Sequence, residues 1–140
     1  MRLGLVSSMA VAASFVLPLS AHHVLSAQFD MRQTVTLKGV IAGVEWINPH
    51  TWIHVDVRDT DGNTVTWSVE TAAPNALRRR AGFDDSLLSV GTAVTVVVWP
   101  AKDSSRRASG KTLSLPDGRA IDIQDRWMAS VGALAQPGRK

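Results

Sequence analysis

From residue 34 onward the chain alternates apolar and polar positions in short runs, broken by clusters of Gly, Pro, Asn and Asp. Period-two alternation sends successive side chains to opposite faces, so these runs read as β-strands. Residues 34–46 form the longest. Val35 and Leu37 point one way, Val40, Ala42, Val44 and Trp46 the other, and Gly39 sits at the change, where an isolated glycine predicts a bulge or sharp bend. Asn48-Pro49-His50 makes a corner, because proline fixes its own φ and steers the residue before it away from helix. In the next strand Ile53, Val55 and Val57 share one face, and Trp52, His54 and Asp56 the other. Asp59-Thr60-Asp61-Gly62-Asn63 looks like a calcium loop but lacks the closing glutamate, and reads as a hairpin turn. Residues 64–70 are then the third strand, with Val65, Trp67 and Val69 inward.

Pro74-Asn75 opens a short helix over residues 76–81 that Gly82 stops. Arg78, Arg79 and Arg80 are consecutive, so they fan around that helix; they read as a solvated face, with a phosphate-binding patch as the alternative. Residues 84–91 read as a loop, and 92–99 as a β-branched, well-buried strand ended by Pro100. Residues 101–110 are polar and basic, and read as a mobile connection. Residues 111–115 and 120–123 are joined by a turn at Pro116-Asp117-Gly118-Arg119. Three strands, a helix and two further strands is the order of an OB-fold. The expectation is therefore an all-β chain with one short helix, an OB-fold-like five-stranded Greek-key barrel. Its core should hold Ile53, Val55, Val57, Val65, Trp67, Val69, Val94, Val96 and Leu113. Phe29 is expected to plug one end of it.

The first 21 residues follow a different pattern. Arg2 precedes an apolar, small-residue-rich run from Leu3 to Leu17, Pro18 breaks it, and Leu19-Ser20-Ala21 ends on a small residue. That is the layout of a secretory signal peptide, and the run is short for a membrane span. The expected organisation is a signal peptide at 1–21, one barrel domain at 22–125 and a flexible tail at 126–140, in a periplasmic protein. At 140 residues there is room for one domain. A formal charge of +3 is weak grounds for an anionic partner. The absence of cysteine excludes disulfide staples and thiolate metal sites.

Ala21-His22-His23 at the signal boundary, Phe29-Asp30, Leu37-Lys38-Gly39-Val40 and the corner Glu45-Trp46-Ile47-Asn48-Pro49-His50 form a set of motifs. Asn75-Ala76-Leu77 and Leu115-Pro116-Asp117-Gly118 extend it. Together they resemble the small exported bacterial proteins catalogued as a domain of unknown function, the 6152 family, over roughly residues 20–123. The resemblance implies a periplasmic location and an OB-like barrel. It brings no activity and no catalytic residue.

All four histidines fall in two clusters, His22-His23 and His50/His54. Imidazole is the commonest metal ligand, and exported imidazole sites suit copper, nickel or zinc. Cleavage after Ala21 would give His22 a free α-amine, which with its ring and a barrel histidine makes a copper-preferring donor set. The candidate metal ligands are thus His22, His23, His50 and His54, with copper the candidate cofactor. The alternative is a non-catalytic binding or assembly module with no metal, serving a periplasmic protein partner. A nucleic-acid or anionic-ligand module is more remote, since small-barrel tryptophans are usually core and export removes most nucleic acid. No nucleophile elbow, phosphate loop or His-Glu-x-x-His helix is present, so no enzyme is expected, and no membrane association after cleavage.

Overall fold

A computed structural model describes residues 27–125. The segments expected to be signal peptide and tail, and His22 and His23, lie outside the described residues. Six strands form one sheet: β1 (Val35–Trp46), β2 (Thr51–Arg58), β3 (Thr64–Glu70), β4 (Ala93–Pro100), β5 (Arg107–Ser114) and β6 (Ala120–Asp122). Between β3 and β4 lie a one-turn helix α1 (Pro74–Leu77) and a 3-10 turn (Asp85–Leu88). The strand order is β3-β2-β1-β4-β5-β6, and a further parallel pairing of β3 with β5 closes the first five strands into a barrel. This is the five-stranded all-β barrel expected, with β6 folded back onto β5 as a short hairpin arm.

β1 serves both halves of the barrel. Its first half pairs with β4, from Val35 opposite Val98 to Val40 opposite Ala93; its second half pairs with β2, from Gly39 opposite Val57 to Trp46 opposite Thr51. Gly39 sits where the two ladders overlap, and a Cβ built there would collide with the Asp56 carbonyl. The change of phase, however, is not at Gly39. The register shifts between Ile41 and Gly43, so Ala42 is the extra residue, Ile41 is buried with Leu37, and Val44 and Trp46 resume the inward face beyond the bulge. Val40 is left 40% exposed.

β2 and β3 join through a turn in which Gly62 takes φ +82, a conformation that costs glycine little, and Asp59 accepts the amides of Asp61 and Asn63. Ile53, Val55, Val69, Val94, Val96 and Leu113 are buried as expected. Val57, Val65 and Trp67 are only half-buried, because they stand toward the turn end of the β2–β3 hairpin. Phe29 is not a plug in the main core. It packs with Trp99 in a separate small cluster, tied to Ala101 by a bridge.

Two further elements differ from the sequence expectation. Helix α1 spans four residues where 76–81 was expected, and Gly82 does lie beyond it with φ +75. Leu77, fully buried, anchors the helix against the core. The residues after it are drawn away by separate partners. Residues 107–110 are strand, not a mobile connection: they pair with Ser68, Val69 and Glu70 on one side and with β4 on the other. The side chains of Ala108, Ser109 and Gly110 are small because space is short. A Cβ on Gly110 would lie 2.7 Å from Ile123 Cδ1 and 3.0 Å from Val69 Cγ1.

Candidate binding site at the barrel rim

The β2–β3 ladder is symmetric about Asp61, which places Trp52 opposite Glu70, His54 opposite Ser68 and Asp56 opposite Thr66. The outward face of β2 therefore acquires a polar partner at every position. Thr66 donates its hydroxyl to Asp56 at 2.6 Å. The His54 ring is held on both sides, its Nε2 2.7 Å from Glu45 Oε1 and its Nδ1 3.1 Å from Ser68 Oγ. The Arg107 guanidinium, brought in by the β3–β5 closure, lies 5.2 Å from the Trp52 ring centre in a cation–π contact.

His50 stands at the end of this face, where the chain turns from β1 into β2 through a cis Asn48–Pro49 bond. Its Nε2 lies 3.3 Å from Glu70 Oε1, and its Nδ1 3.8 Å from Asp125 Oδ2. Nδ1 is buried and has no hydrogen bond. Glu70 is itself buried, with 9% of its side chain exposed. Loss of hydration pushes its carboxyl above the usual carboxylate range, and the negative charge of Asp125 adds to that. The positive charges of His50 and Arg107 oppose it. A buried carboxylate beside an imidazole and a guanidinium is a local store of electrostatic tension, of the kind found where ligands bind and also in structural ion pairs.

The structure does not bring His50 and His54 together. Four residues of extended chain separate them, roughly 13 Å at a strand's rise, and each is oriented by different carboxylates. Around His50 the two carboxylates face opposite ring nitrogens. Among the described residues no three His, Asp or Glu side chains converge in an arrangement that would hold a metal ion.

Glu70, Asp125 and Arg107 were not candidates from the sequence. Glu70 was within reach of it, since a turn centred on Asp61 fixes which residue faces Trp52. Asp125 and Arg107 arrive through tertiary closure and carry no local signal.

Of the three arginines after α1, Arg78 and Arg79 are exposed and Arg80 is half-buried, and their contacts differ. Arg78 makes a two-pronged pair with Asp85, Nε 3.0 Å from Oδ1 and Nη2 2.9 Å from Oδ2, and lies over the Trp46 ring. Arg80 reaches Asp122 and the Gln124 carbonyl. Arg79 lines a recess beside Asp125.

Searches of curated proteins and of solved structures return no match. The model of a family of unknown function (DUF6152) matches residues 8–110, a span that includes both histidines of the rim and face together with Glu70 and Arg107, and the chain belongs to that family.

Proposed function

We propose that the protein is an exported, non-catalytic binding module whose ligand site is the barrel rim at His50, and that the ligand is a copper-type ion shared between His50 and the N-terminal donors His22 and His23. The observation that carries this reading is the state of the His50 ring. One nitrogen faces the buried Glu70, while the other, Nδ1, has no hydrogen bond and lies within 3.8 Å of a carboxylate oxygen. Metal-bound histidines commonly keep a carboxylate on the nitrogen that is not ligating, which fixes the ring and raises its basicity. His54 lacks a nitrogen to spare, since Glu45 and Ser68 engage both. Its place in the ligand set therefore passes to His50 alone, and His54 becomes a residue that orders the face. The apolar run before Ala21 supports export, and cleavage there would supply the amine and ring of His22.

A second reading, a binding or assembly module that carries no metal, is favoured by the absence of a converged donor triad among the described residues. Calorimetric titration of Cu(II) into the chain that begins at His22 separates the two. His50→Ala, and a form with one extra residue ahead of His22, should each weaken binding by about tenfold or more, the scale of losing a ligand or its support. His54→Ala should leave affinity within about threefold, less than half of a tenfold step on the free-energy scale. Copper bound as tightly by His50→Ala as by the parent chain would place the ion on the N-terminal segment alone and remove the barrel from the site.

A further inference from the structure

Beside α1 a recess of about 350 Å³ is lined by Ala76, Arg79, Arg80 and Asp125. Its chemistry is cationic. Arg80 is held in place with 16% of its side chain exposed, by Asp122 Oδ2 at 3.4 Å from Nη1 and the Gln124 carbonyl at 2.7 Å from Nη2. Its Nε is buried and has no hydrogen-bond partner. A buried guanidinium N–H without an acceptor is uncommon and unfavourable. Arg79 stands beside it in an exposed turn and forms no ion pair among the described residues, in contrast to Arg78, whose charge is taken by Asp85. Asp125 is the one carboxylate of the lining among the described residues, and its Oδ2 lies 3.8 Å from the His50 ring.

We propose that this recess binds the oxyanion group, carboxylate or phosphate, of a small solute, with the exposed Arg79 pairing with the anion and Arg80 holding positive charge in the wall. Two guanidinium groups, one held by its neighbours and one exposed in its turn, suit the forked recognition of such groups. The volume suits a small solute rather than a polymer. The site does not rest on the metal reading: it shares Asp125 with that rim but uses neither His50 nor the N-terminal histidines, and it is tested in the presence of a chelator.

The probes are inorganic phosphate and succinate, each added to the whole exported chain against sodium chloride of matched ionic strength, with the Arg80 Nε–H signal followed by NMR. A saturable shift with either probe is expected, and which probe produces it identifies the source of the anion. Arg79→Gln should weaken that binding by about tenfold, the loss of one charge-assisted contact. Arg106→Gln, an exposed arginine away from the recess, should leave it unchanged. Asp125→Asn should tighten it, because a negative charge leaves the wall. No saturable shift with either anion, an equal loss in the Arg79→Gln and Arg106→Gln variants, or weaker binding in Asp125→Asn would each overturn the proposal. Since Arg79 and Arg106 are exposed, their variants keep the fold and the comparison stays interpretable.

Discussion

Gly39→Ala should destabilise the barrel by about 3 kcal/mol or more, among the larger effects a single added methyl group can have. The new Cβ would run into the carbonyl of Asp56, which is backbone within the β1–β2 ladder and has no rotamer to retreat to. Relief by sliding β1 is blocked on its other edge, where Gly39 is opposite Val94 of β4. The loss of unfolded-state freedom on replacing glycine works in the opposite direction but is smaller, about 0.4–1 kcal/mol. Gly43→Ala is the matched control. It lies on the same strand, and the nearest atom to its Cβ would be His54 Cδ2 at 3.8 Å, an ordinary contact. Urea unfolding should show a large fall in midpoint for Gly39→Ala and little change for Gly43→Ala, with the slope unchanged in both. Equal midpoints in the two variants would refute the close approach of β1 to β2.

His50→Gln should destabilise the fold by about 1–3 kcal/mol, the penalty for leaving a buried partner without its counterpart. The partner is Glu70, whose carboxyl burial already pushes above its ordinary value of 4.5. The sign of the pH dependence follows. Between the unfolded pKa and the raised folded one, the folded chain holds a proton that the unfolded chain has released. Stability therefore falls as pH rises through that window, and the full penalty is present above it. Removing the positive charge of His50 raises Glu70 further, so the window widens upward. Glu70→Gln acts in the opposite direction, by removing the charge that is costly to bury. It should flatten the dependence and raise the unfolding midpoint at neutral pH. Urea midpoints recorded from about pH 4 to 8 test both variants. A parent chain whose stability rises through that window, or a Glu70→Gln variant less stable at neutral pH, would show that the carboxylate is a favourable ion pair instead.

The sequence made some of this architecture legible and concealed the rest for identifiable reasons. β3 was readable to the residue and β2 in its alternation, because Ile53, Val55 and Val69 alternate cleanly and Asp61-Gly62 marks the turn between the two strands. The start of β5 was not, since Arg107-Ala108-Ser109-Gly110 has no hydrophobic alternation. Closing the barrel under Val69 and Ile123 demands small side chains, and small side chains resemble a loop. At β1 the glycine drew attention to the wrong place. Gly39 answers a close approach, whereas the bulge falls on Ala42, a residue with no turn signature.

The site was legible to the same partial extent. His50 and His54 stand out as residues, and the symmetry about Asp61 sets Ser68 opposite His54 and Glu70 opposite Trp52, two residues along from His50. Asp125 lies beyond β6, and only the three-dimensional return of the chain sets it beside His50. The divergence of Arg78, Arg79 and Arg80 was implicit in their being consecutive. That one would be buried with an unpartnered Nε was not, because it depends on Gln124 and Asp122 arriving from the far end of the chain.

The central claim, an exported module that holds a metal ion between its new N-terminus and the His50 rim, is tested most directly by native intact-mass measurement on protein taken from the periplasm. It is recorded before and after treatment with a chelator. The account predicts a chain that begins at His22, carrying a copper-type ion that chelator removes and that is missing from the His50→Ala variant. A chain that retains residues 1–21, or one whose mass is the same with and without chelator, would contradict it.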